Sequence, residues 1–423
     1  MSHSFRALIV ACLGGTVMPL MGSPSFAQEG RVASVGKASV VVQADGPIGA
    51  GTLVVAEVDG SIAPGVYTFK RGEQGSESPA EVFKRDGKTY LALSLADGSA
   101  EGSQVSLTLT GKPNTPHPSI TEAQAKADQV PITVGGKPFV TYRSGDGPKP
   151  YYYPVIGPGG VPYTRAYPMD KVKGEDEDHP HQRSFYFTHG NVNGYDFWAS
   201  DPLNKPNPKF GSTKETSRKI LHNGQNAAVI ETTDDWIGPD GKKVCEDRRV
   251  VSFFGLGKDR VIDFEITLKA TDGPVTFGDT KEGMFGLRVA SSMDVKSKTN
   301  SGGKIVNAEG LTDDKAWGQA SPWVDYTGPV QGKTVGIAIL NHPKSFRYPT
   351  TWHVRTYGLF AANPFGWHDF GQKKSGEHVL ANGDSITFCY RVILHEGDTT
   401  SAQVPAAFAS YAKPPKVQVS AKN

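Results

Sequence analysis

Two histidines, an aspartate and an arginine fall within six residues in Asp178-His179-Pro180-His181-Gln182-Arg183, with His189 and Asn191 a short step further on. Imidazoles exchange protons near neutral pH or ligate metals. A guanidinium presents a fixed fork of donors suited to a carboxylate or paired hydroxyls. If this stretch is extended, His179, His181, Arg183, Phe185, Phe187 and His189 share one side of the chain. Trp198 follows as a candidate apolar platform. A second group comprises His342, Trp352, His353, Arg355 and Asn363, with His353 and Arg355 on one face of a strand and Trp352 on the other. A third holds Glu282 beside Lys281, with Arg288 downstream. A carboxylate opposite a histidine is the minimum requirement for general acid–base catalysis. The expected catalytic set is therefore His179, His181, His189, His353 and Glu282. Arg183, Asn191, Trp198, Arg288, His342, Trp352, Arg355 and Asn363 are expected to bind substrate.

A metal offers a different use of the same histidines. The His-x-His pair needs a third ligand, and His189 or His353 would have to supply it. The spacing alone is a weak signal, so no cofactor is assigned. The acidic run Glu175–Asp178 lacks the loop spacing of an EF-hand and reads as solvated charge.

These groups must be held by strands. In Val261–Lys269, Ile262, Phe264, Ile266 and Leu268 alternate with polar residues, and Ile386 to Leu394 repeats the pattern, the mark of strands with one dry face. Further strands are expected over Ala227–Thr232, Arg248–Phe254, Phe285–Ala290 and Thr334–Leu340. Short β-rich runs between Gln28 and Gly111, separated by Asp-Gly turns such as Asp86-Gly87, suggest a smaller sandwich. The fold class is all-β: a small N-terminal Ig-like sandwich over 28–111, a proline-rich linker over 112–129 with a brief helix in Thr121–Asp128, a large antiparallel β-sandwich over 130–411 and a C-terminal tail over 412–423. One amphipathic helix is expected around Val404–Tyr411, capped by Thr400 or Ser401.

Met1–Ala27 has a basic residue, an apolar run from Ala7 to Leu20 and a Ser-Phe-Ala ending, the plan of a cleaved signal peptide. A periplasmic or secreted protein is expected, with no membrane insertion. With 45 basic and 43 acidic residues interspersed, there is no basic stripe for nucleic acid. Cys12 would leave with the signal. Cys245 and Cys389 would remain, either bridged or as buried small hydrophobes.

The segments His179–Arg183 through Trp198, Lys281–Arg288 and Arg347–Gly366 resemble a bacterial family labelled "methane oxygenase PmoA", over most of the second domain and none of the first. Gln182 and Ser184 stand where that pattern expects His and Gly. The label refers to a bundle of membrane helices, and this β-rich sequence has no spanning segment. The resemblance implies association with bacteria rich in sugar-degrading enzymes, and the domain looks like the galactose-mutarotase supersandwich. The expected partner is a carbohydrate or glycan, acted on by acid–base chemistry. The alternatives are a non-catalytic glycan-binding or scaffold protein and, following the label, a metal-dependent oxidoreductase.

Overall fold

The computed structural model describes residues 38–58, 62–110, 119–120, 126–298 and 302–421. The signal segment and two thirds of the linker, including most of its expected helix, lie outside these residues. The regular structure of the described chain is nearly all strand, with the α-helix Val404–Ala412. That helix begins after Gln403, which adopts φ +58°, and neither Thr400 nor Ser401 caps it.

The large domain is two antiparallel sheets packed face to face. One has eight strands, in the order Ser212–Asn223, Ala227–Ile237, Lys243–Phe254, Arg260–Lys269, Ser385–Glu396, Lys333–Asn341, Trp323–Val330 and Lys304–Asn307. The other has seven: Trp352–Val354, Leu359–Ala362, Gly283–Arg288, Phe185–His189, Tyr151–Val155, Lys137–Arg143 and Gln129–Val134. The alternation read from the sequence sets the register of burial. Ile262, Phe264, Ile266 and Leu268 enter the core between the sheets, where Phe264 meets Phe185 at 5.7 Å. Phe285 stacks on Tyr390 with ring centroids 4.4 Å apart. Ring pairs of this kind add to the area that each side chain buries. An ion network sits in the same interior. The Arg249 guanidinium donates two 2.8 Å bonds to Asp247, approaches Asp234 at 3.3 Å, and Asp247 also accepts from Trp236 Nε1 at 2.7 Å.

The N-terminal part forms a further sheet of seven strands around its own core of residues such as Val40, Phe69, Leu93 and Leu107. It includes Glu77–Arg85, which the sequence reading passed over. The expected C-terminal tail contributes to it too. Lys416–Ala421 is a strand paired antiparallel with Ala38–Gln43, burying Val417 and Val419. This sheet and the helix cover the back of the eight-stranded sheet, where Leu53, Phe83 and Ala92 cluster with Val250, Phe254 and Ile393. Buried Glu81 ties the two together, bonding His222 Nε2 at 2.6 Å and the Asn226 amide at 2.8 Å. Cys245 and Cys389 are free thiols. The outer face of the seven-stranded sheet is therefore the large face left for a site.

Candidate functional site

Five strands put one residue each on a row across that outer face: His353, Ala361, Gly286, Tyr186 and Tyr151, paired in register. Gly286 has no Cβ, and the Tyr186 ring lies over it; a Cβ there would stand 2.8 Å from the ring. Tyr186 and Trp198 pack at 5.2 Å to form an apolar floor. The Tyr186 hydroxyl and Trp198 Nε1 are buried and find no hydrogen-bond partner among the described residues. Below Tyr186, the Lys149 ammonium is held by the carbonyls of Phe197, Trp198 and Ser200, and burial lowers its pKa to about 7.

The rim is built from the loop 178–184. This loop is not extended: His179 and Ser184 both take left-handed φ values, +45° and +56°, so the shared-face pattern expected for His179 to His189 breaks there. Asp178 organises the loop. Its Oδ1 accepts from Arg165 at 2.6 Å and from Arg288 at 3.0 Å, while its Oδ2 meets His179 Nδ1 at 3.0 Å. Burial would raise the Asp178 pKa, but His179, Arg288 and Arg165 outweigh it and hold the carboxyl well below the usual range. His179 is thereby oriented, and its other ring nitrogen has no partner among the described residues. Its ring, 42% exposed, stacks on Tyr357 at 5.4 Å. Tyr357 and His179 form one wall of a cleft of about 610 Å³ that continues past Asp176 and Glu177 to Lys296 and Lys298.

Glu282 enters from the loop before Gly283–Arg288. Burial raises its pKa, Lys281 at 3.5 Å opposes the rise, and the charges of Asp196 and His179 are both felt there. A half-buried carboxyl tuned upward and an aspartate-held imidazole thus share one face.

Arg288 and Arg183, expected to bind substrate, are engaged as structural anchors. Arg288 bonds Asp178 and Gln182 and lies 4.9 Å from the Tyr357 ring, while Arg183 pairs with buried Asp201 at 2.6 Å. Arg355 begins the turn into Leu359–Ala362, and its guanidinium rests beside Trp317 at 5.4 Å and Tyr357 at 5.7 Å. Half-buried Trp317 and Tyr357 had no part in the expected site, although Tyr357 lies inside a run singled out for its chemistry.

Several expected site residues lie elsewhere. His189 points with Phe185 and Phe187 into the core, fully buried between Phe277 and Phe365, and bonds the Gly278 carbonyl at 2.8 Å. Trp198 and Trp352, expected as stacking platforms, are 1% and 0% exposed; the Trp352 indole donates to Ser321 O. Asn363 is buried and donates to Thr280 O, and Asn191 accepts from Gly194 N in its own turn. His342 belongs to a different region, against Tyr411 under the helix. His181 and His353 are at the site but nearly buried. Burial, helped by nearby cations, lowers His181 to about 3. Burial likewise lowers His353 to about 4, with Nδ1 donating to Lys281 O. Both are neutral supports rather than proton carriers near pH 7. The histidine convergence needed by a metal does not form. Among the described residues no group of three or more His, Cys, Asp or Glu is placed to hold one.

Burial lowers His189 to about 4, against about 6.5 when unfolded. Between those values the unfolded chain binds more protons, so stability is full above about pH 6.5, falls with acidification and levels off below the folded pKa. At pH 5 this one group is expected to have removed about 2 kcal/mol. Urea unfolding at pH 7 and pH 5 checks it: His189→Gln should flatten the pH dependence, and an unchanged slope would contradict the assignment.

The site thus defines an all-β protein with a polar cleft lined by His179 and Tyr357, with Arg288 and Arg355 against the Tyr357 ring. The chain belongs to a family of unknown function (DUF6807), whose profile matches residues 129–409. No curated protein matches. Among solved structures, a glycosyl hydrolase family 38 protein from Enterococcus faecalis overlays 93% of this chain and 48% of its own, at 11% identity and a TM-score of 0.42. This chain spans about half the length of that protein. The GH36 alpha-galactosidase AgaA from Geobacillus stearothermophilus overlays 64% of this chain and 40% of its own, at 13% identity and a TM-score of 0.35. A galactose mutarotase-like protein from Lactobacillus casei overlays 63% of this chain and 96% of its own, at 10% identity and a TM-score of 0.29. At such scores these overlays carry no argument about function. No helix among the described residues is long and apolar enough to cross a membrane.

Proposed function

We propose that this protein is exported through Met1–Ala27 and acts on a sugar or glycan by acid–base chemistry, with His179 and Glu282 as the proton-transferring groups. The observation that carries the reading is the Asp178–His179 pair, with its aspartate fixed by Arg165 and Arg288, on the same open face as Glu282. An imidazole oriented through Nδ1 by a carboxylate keeps one tautomer and presents Nε2 to a substrate. A carboxyl with a raised pKa complements it as proton donor or acceptor. Half-buried Tyr357 lines the cleft beneath His179, and half-buried Trp317 lies beyond it beside Arg355, so aromatic edges border the polar groups.

The test is a turnover screen of the mature chain, beginning at Gln28, on reducing sugars and oligosaccharides, read by polarimetry, new reducing ends and ultraviolet absorbance of unsaturated products. Cell fractionation of the expressing bacterium checks export. A hit should lose roughly 100-fold or more in Glu282→Gln, the scale of a missing general acid or base. Equal turnover by that variant would remove Glu282 from the chemistry. Glycan binding with no turnover by the wild type would favour the second reading, a binding protein that uses the Trp317–Tyr357 surface.

A further inference from the structure

We infer that the glycan taken by this cleft carries an anionic substituent, a carboxylate or a sulfate ester, and that Arg355 is the residue that reads it; the inference rests on the carbohydrate reading above. The arginines around the cleft differ in one respect. Arg165 and Arg288 are tied to Asp178, and Arg183 to Asp201. The Arg355 guanidinium has no acid and no carbonyl among the described residues. It is half-buried and held beside the rings of Trp317 and Tyr357. A planar fork fixed by aromatic contacts with its donors unspent is prearranged for an oxyanion, which it can take in a bidentate manner.

Its neighbours point the same way. The Lys296 amide donates to Thr356 O at 3.0 Å, which joins the Lys296–Lys298 edge of the cleft to the turn that bears Arg355. Neither lysine side chain has an acid partner among the described residues. The same cleft also holds Asp176, Glu177, which lies 3.9 Å from Lys171, and Asp178, which is bound by two arginines, so the unspent fork of Arg355, rather than the net charge of this edge, is what favours an anion. His179 and Arg355 both rest on the Tyr357 ring. A sugar lying along that ring would meet the imidazole and the guanidinium together.

The experiment is calorimetric titration of the mature full chain with three sets of oligosaccharides of matched length: neutral, uronate-containing and sulfated. Wild type, Arg355→Gln and Arg355→Lys are compared, with thermal melts to confirm that each is folded. The inference expects an anionic set to bind at least tenfold more tightly than the neutral set. It expects that preference to fall roughly 10- to 100-fold in Arg355→Gln, the scale of charge-assisted hydrogen bonds. Arg355→Lys should restore it only in part, since an ammonium has the charge without the fork. Which anionic set binds identifies the substituent. Equal binding of neutral and anionic sugars, unchanged in Arg355→Gln, would overturn this inference and leave the carbohydrate reading standing. Binding of no sugar by the wild type would overturn the carbohydrate reading itself, and this inference with it.

Discussion

His179→Gln is expected to lower turnover by roughly 100- to 10,000-fold, the range associated with a missing general acid or base, while leaving the protein folded. Three features make this variant informative. The ring is 42% exposed, so its removal opens no cavity in the core. Asp178 keeps its bonds to Arg165 and Arg288, so the loop keeps its main anchors. Glutamine can still donate to Asp178 but cannot exchange a proton, which separates positioning from proton transfer. The measurement is kcat and KM against pH for both forms. A collapse in kcat with the loss of one limb of the pH profile supports the assignment. Undiminished turnover would move the chemistry to another group on the face.

Arg249→Met is expected to destabilise the fold by about 3–5 kcal/mol, because it leaves Asp247 and Asp234 buried without their cation. Arg249 and Asp234 are wholly buried and Asp247 is 1% exposed, so water cannot replace the lost charge. Burial, the largest influence on Asp234, already raises its pKa to about 8, and the variant should drive both carboxyls toward their protonated forms. Urea unfolding measured at pH 5 and pH 8 should therefore show a deficit that grows with pH. Replacing Arg249 together with Asp247 by apolar residues should recover part of the loss. If Arg249→Met alone unfolds at the wild-type midpoint, the network carries no such role.

The parts of this fold that were legible from sequence are those where one face is wet and the other dry. Ile262 to Leu268 alternates because its strand lies between a core and a polar surface. The strand Glu77–Arg85 was missed because charged ends and Pro79 hide its buried centre, Ala80 to Phe83. Ser212–Asn223, polar along most of its length, is an edge strand with little burial to announce it. At the candidate site, the histidine-rich segment drew attention to His179 but not to the residues that hold it. His179, Glu282, Arg288 and Arg355 come to one face. His189 points inward with Phe185 and Phe187 by ordinary alternation in its strand, whereas the left-handed residues His179 and Ser184 break the pattern before it, and no alternation rule anticipates them. Trp198 and Trp352 were assigned to a surface by their chemistry, whereas large aromatic rings at a sheet more often fill the interior. Asp178 was read as part of a solvated acidic run. Its role comes from Arg165 and Arg288, which lie 13 and 110 residues away. Such long-range pairing leaves no local mark.

The pairing of Lys416–Ala421 with Ala38–Gln43 has a consequence for the order of events during synthesis. The first described strand emerges from the ribosome early, yet one of its two hydrogen-bonding neighbours is made only after the whole large domain. A sheet closed by such distant segments has a high contact order and completes slowly. Until then Ala38–Gln43 presents an open edge, of the kind that invites pairing with other chains. Quality control of this protein thus falls on the N-terminal sheet, which is begun first and finished last.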